Sequence, residues 1–90
     1  MTTQKNKPID TLRDGAVKAT IWKNPGGEGR PDFYSVSLTR TWKDDKGDYH
    51  DSDSFTGTDL LIASRLAGEA YTRVSELRRR DRRAREEAAA

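Results

Sequence analysis

The only long periodic apolar signal in the chain runs from Thr56 to Leu77, and it limits what the rest can fold into. Thr56-Gly57-Thr58-Asp59 reads as a capping box with an acidic residue at N3, and Phe55 before it is placed to staple onto Leu60 at N4. Leu60, Ala63, Leu66, Ala67, Ala70, Tyr71, Val74 and Leu77 then recur at three- and four-residue steps, an apolar stripe roughly 140° wide at 100° per residue. Such a stripe must lie on something, and everything before it reads as strand. The predicted fold is therefore α+β: an antiparallel four-stranded sheet, ββββα in order, covered on one face by one long C-terminal helix.

Ninety residues make one domain, and 32% hydrophobic against 36% charged residues leave one chain little core to bury. A homodimer is the expected remedy. Without a run of eighteen apolar residues or a basic-apolar leader, no membrane span or secretion signal is expected. The absence of cysteine removes disulfides and thiolate metal sites and fits a cytoplasmic protein.

Residues 1–8 read as a disordered polar arm, 9–77 as the ββββα domain, and 78–90 as a basic helical extension or fraying tail. Ile9 to Arg13 is a short edge strand, followed by an Asp14-Gly15 turn signal. Ala16 to Lys23 alternates, with Val17, Ala19 and Ile21 on one face and Lys18, Thr20 and Trp22 on the other. Asn24 to Pro31 carries three glycines and two prolines and is a flexible loop. It lacks the pattern of a phosphate loop. From Asp32 to Trp42, Tyr34, Val36, Leu38, Arg40 and Trp42 alternate with Phe33, Ser35, Ser37, Thr39 and Thr41, the hydroxyl row being a solvated or ligand-facing surface. After the turn at Lys43 to Gly47, Asp48 to Ser54 forms a polar edge strand.

Catalysis has little to stand on. His50 is the one histidine, and no serine sits in a nucleophile elbow. Asp48, Asp51 and Asp53 with His50 read as a candidate hard-metal cluster, but alternation sets His50 on the face opposite Asp51 and Asp53, and the Asp44 to Asp48 turn lacks the ligand spacing of an EF-hand loop. No enzyme activity, cofactor or metal is expected. Charge is unevenly placed: Asp44, Asp45, Asp48, Asp51, Asp53 and Asp59 against Lys46 make residues 44 to 59 net −5, although the whole chain is +2.

The better-supported expectation is single-stranded nucleic acid on the open sheet. Two tryptophans sit beside cations, Trp22 with Lys18 and Lys23, Trp42 with Arg40 and Lys43. Unpaired bases stack on exposed aromatics whatever their identity, while Lys and Arg neutralise phosphates. The alternative is a small interaction or inhibitor module whose acidic residues Asp44, Asp45, Asp48, Asp51 and Asp53 engage a basic protein partner. The arginine run after Leu77 is a solvated helix end or a nucleic-acid arm, with Arg82 and Glu86 spaced to pair at i, i+4.

At Lys18-Ala19-Thr20-Ile21-Trp22-Lys23-Asn24, Phe33 to Arg40 and Asp51-Ser52-Asp53-Ser54-Phe55 the chain resembles a group of small uncharacterised proteins of bacterial plasmids, integrative elements and phages. That resemblance implies a mobile-element setting and no activity. In the order of its elements, from Arg40 through the Asp44 to Gly47 turn to Thr56, it also resembles the single-stranded DNA-binding domain of the coactivator positive cofactor four. The resemblance implies a curved sheet open to DNA and dimerisation through helices. The acidic third hairpin arm departs from the basic strand that family tends to have there.

Overall fold

A computed structural model describes residues 7–89 and contains five elements: β1 (Pro8–Asp14), β2 (Val17–Asn24), β3 (Phe33–Lys43), β4 (Tyr49–Ser52) and α1 (Thr58–Ala89). The strands form one antiparallel sheet in sequential order, with a single helix after it, the α+β arrangement expected from the sequence. The expected N-terminal arm falls largely outside the described residues, and Pro8 already belongs to β1.

Each hairpin has a local cause. Two residues, Gly15 and Ala16, join β1 to β2, and Gly15 supplies a positive φ of 60° at the first of them, as a II′ turn requires. Between β2 and β3 the glycine-rich loop closes on itself, with Arg30 N–H donating to Gly27 O at 3.2 Å. A Cβ at Gly26 would sit 2.0 Å from the Pro31 carbonyl oxygen, so only glycine fits there. The β3–β4 turn is built on Asp44, whose carboxylate accepts from the N–H groups of Lys46 and Asp48, both at 2.9 Å.

Residues opposite one another in an antiparallel ladder share a face, so the register sorts the sheet into two. Val17, Ala19, Ile21 and Lys23 lie opposite Arg40, Leu38, Val36 and Tyr34. Val17, Ala19 and Ile21 are fully buried, packed under Ala63, Leu66 and Ala70 of α1, with Leu12, Tyr34, Leu38, Phe55, Ile62 and Val74 around them. This is the helix side. Lys18, Thr20, Trp22 and Asn24, opposite Thr39, Ser37, Ser35 and Phe33, form the other side, which no element among the described residues covers.

The helix lies over β1, β2 and β3 and makes no packing contact with β4. Arg65 pairs with Asp14, and Arg73 with Asp10 at 3.2 Å, so one flank faces β1. The opposite flank, at 100° per residue, carries Leu60 and Tyr71 and looks toward the uncovered end of β3. That geometry corrects two expectations. Leu60 (59% exposed) and Tyr71 (72%) stay in solvent instead of joining the core, and Ile62, which the apolar stripe does not include, packs against the core. Phe55 likewise packs onto the core, leaving Leu60 outside.

With 32 residues α1 is about 48 Å long. It outruns the sheet, and the radius of gyration is 16.2 Å, against about 12 Å for a compact chain of this length. The described part contains no helix long and apolar enough to cross a membrane.

Candidate nucleic-acid interface

The six residues expected to contact nucleic acid divide between the two faces. Lys18, Trp22 and Lys43 lie on the open face. Lys23, Arg40 and Trp42 lie on the helix side, and each is engaged there. The Lys23 ammonium stands 3.2 Å from Asp81 and over the Tyr34 ring, 5.6 Å from its centroid. Arg40 reaches Asp59 at 3.8 Å and donates to Ser54 O at 3.4 Å. Trp42 stacks on His50, with centroids 4.7 Å apart, and His50 is hydrogen-bonded to Asp44 at 2.7 Å. Strand parity carried the signal for this division. Arg40 and Trp42 share the row of Val36 and Leu38, the row with apolar side chains to bury.

Register adds residues to the open face that reading single strands did not join to it. Arg13 lies opposite Lys18, and Tyr49 opposite Lys43, whose ammonium sits 5.7 Å from the tyrosine centroid. Phe33, at the head of the hydroxyl row, is 55% exposed, and Tyr49 is 71% exposed. Trp22 is half-buried, with its indole N–H donating to Ser37 Oγ at 3.0 Å, a bond that fixes the ring against β3.

This face thus presents three aromatic side chains, Trp22, Phe33 and Tyr49, with Ser35, Ser37, Thr39 and Thr41 between them. Its cations differ from those on the helix side in one respect. Among the described residues, Lys18, Lys43 and Arg13 have no carboxylate partner, whereas Lys23 and Arg40 are both neutralised. Its one strand carboxylate, Asp51, accepts the Thr41 hydroxyl at 2.9 Å.

The five acidic residues of the alternative reading do not form one display. Asp44 is turned into its own hairpin, where His50 first, then the N–H groups of the turn, hold its carboxyl below the ordinary range. Asp51 is bound to Thr41, while Asp45, Asp48 and Asp53 are exposed. Among the described residues no three His, Asp or Glu side chains converge as a metal site.

A carboxylate lies at the centre of the helix-side polar network. Tyr34 donates its hydroxyl to Asp81, Lys23 approaches the same oxygen, and Arg80 reaches the other at 3.4 Å. Tyr34 and then Lys23 hold the Asp81 carboxyl below the usual carboxylate range. Asp81 in turn raises the Lys23 ammonium, while burial, followed by the bond to Asp81, raises the Tyr34 phenol.

No family model, curated protein or solved structure matches the chain. The functional reading therefore rests on the two faces of the sheet and the helix beside them.

Proposed function

We propose that the protein is a non-catalytic binder of single-stranded nucleic acid, largely indifferent to sequence, and that the strand crosses the uncovered sheet face. The observation that carries this reading is the gathering of Trp22, Phe33 and Tyr49 on one uncovered face with three cations that have no carboxylate partner. Stacking on aromatic side chains suits every base, and it needs bases that are not already paired. Lys18, Lys43 and Arg13 neutralise phosphates, and the hydroxyl row supplies hydrogen bonds of either polarity. A second copy of the chain is the proposed partner on the other side, where Leu60, Tyr71, Val36 and Trp42 leave apolar surface uncovered.

The test is titration with a labelled oligo-dT of about 20 nucleotides and with the matching duplex, read by tryptophan fluorescence. The single strand quenches Trp22 and binds more tightly than the duplex. In the double variant Phe33→Ala, Tyr49→Ala, both sites being exposed, the fold is retained and affinity falls about tenfold or more, since each stacked base contributes roughly 1–3 kcal/mol. Equal affinity of variant and wild type would remove the sheet face from the account.

A further inference from the structure

Where the head of β3 meets the second half of α1 there is a groove of about 370 Å³. Its sheet wall is Phe33 and Tyr34, and its helix wall is Val74, Arg78, Arg82 and Arg85. A second hollow of about 310 Å³ adjoins it, shares Arg85, and is closed by Arg30 and Pro31 of the β2–β3 loop. The spacing 78, 82, 85 puts the three helix arginines on one face.

None of these arginines is neutralised. Among the described residues Arg30, Arg78, Arg82 and Arg85 take part in no ion pair, and Arg82 and Glu86, spaced to pair, do not. Two carboxylates line the hollows: Asp81 is taken by Tyr34, Lys23 and Arg80, and Asp32 accepts the Gly26 N–H at 3.4 Å. Like charges one turn apart repel, and four arginines against these two carboxylates leave the two hollows with a positive excess. Guanidinium groups meet phosphate oxygens through paired N–H bonds. Phe33 belongs at once to the open sheet face and to the lip of the groove, which makes the two surfaces continuous.

We infer that the groove between the head of β3 and the arginine face of α1 is a phosphate-binding channel, which receives the backbone of the single strand as it leaves the sheet past Phe33. The strand's path rests on the proposed sheet function, whereas the phosphate site stands on the groove alone. Tyr34 and Val74 supply an apolar floor for the sugars, and Arg30 on the loop lines the adjoining hollow together with Arg85. The loop closes on itself through the Arg30 N–H to Gly27 O bond and passes close to the Pro31 carbonyl at Gly26.

The experiment compares wild type with the triple variant Arg78→Ala, Arg82→Ala, Arg85→Ala, whose sites are exposed and tolerate a strong helix former. Binding of a 20-nucleotide oligo-dT is measured across salt concentrations, and backbone amide shifts are followed while inorganic triphosphate is added alone. In the variant, affinity drops about tenfold or more at low salt. Its log–log salt slope becomes shallower by about two, at roughly 0.7 per phosphate contact. Triphosphate shifts amides of residues 30–34 and 78–85 in wild type and leaves them unmoved in the variant. If the variant keeps both affinity and slope, the channel is wrong and the sheet reading stands. If oligo-dT fails to bind wild type while triphosphate still shifts that set, the sheet reading falls and the phosphate site remains. Triphosphate shifts scattered over the molecule, or absent, overturn the site.

Discussion

Asp81 accepts from a phenol and stands against an ammonium, tying the second half of α1 to the sheet through Tyr34 and Lys23. Its side chain is mostly covered, so neutralising it weakens the bond from the Tyr34 hydroxyl and unpairs Lys23. Asp81→Asn is expected to cost about 1.5–3 kcal/mol at neutral pH, the usual scale for a hydrogen bond to a charged group. The pH dependence has a fixed sign. A carboxyl lowered in the folded state contributes stability that is present above 3.8 and lost as pH falls through its folded value. Lys23 and Tyr34 are both raised, so their contributions hold below 10.5 and 10.0 and fade only as pH climbs past the folded values above them. Urea unfolding should therefore show a constant gap between wild type and Asp81→Asn from about pH 5 to 9, closing in strong acid. A gap that widens in acid would refute this assignment. Asp81 was legible in principle, since it sits four residues after Leu77 and continues the stripe in polar form. An apolar stripe read only from apolar residues ends one turn too early.

At the scale of the element, the helix and its phase were the most legible part of the chain, and its flanks the least. Periodicity identifies a face but says nothing of how wide the opposing sheet is. Here the helix covers three strands and misses β4, so the inner residues of the stripe are buried and one flank is left bare. The consequence is a contrast between two leucines six residues apart. Leu66, 1% exposed under the sheet, should cost about 2–5 kcal/mol when changed to alanine. In a domain of this size that removes much of the folded population. Leu60→Ala should change the thermal stability of the monomer by no more than about 0.5 kcal/mol. Equal losses at the two sites would mean that the stripe is phased differently. The strands show the same division. Alternation was readable along each, but which row of β3 joins which row of β2 is set by pairing across the ladder. That is why Lys18 and Trp22 kept company with Lys43, while Lys23, Arg40 and Trp42 turned out to serve the helix side.

Across the whole molecule, whose Cα extents are 58 × 32 × 15 Å, charge is segregated from end to end. Arg40 meets Asp59 at the start of α1, and Tyr34 meets Asp81 near its other end, so the acidic β3–β4 turn and the arginine-rich tail lie at opposite ends. Between them the uncovered flank carries Leu60 and Tyr71, with Val36 and Trp42 on the sheet beside it. In the proposed dimer, a two-fold axis across this flank and perpendicular to the helix sets the second copy antiparallel to the first. That pairing buries apolar flank on apolar flank and brings each basic end toward the other's acidic end, so the partner's turn competes with phosphate for the helix arginines, and an isologous contact of this kind closes after two subunits. Parallel pairing would instead set arginine run against arginine run. Sedimentation equilibrium should then give twice the 10.2 kDa chain mass. Leu60→Lys with Tyr71→Lys, both substitutions at exposed sites, should return the monomer with its helix content intact. Because opposite charges meet at both ends, raising salt should weaken the dimer. A monomer at every concentration would leave the apolar flank without this partner, and a dimer that survives both lysines would place the interface elsewhere. The open sheet face takes no part in this contact, so the double lysine variant should still quench on a strand short enough to occupy one sheet. Loss of that binding would mean the strand needs both copies, a result that separates a platform built by one chain from one completed only in the pair.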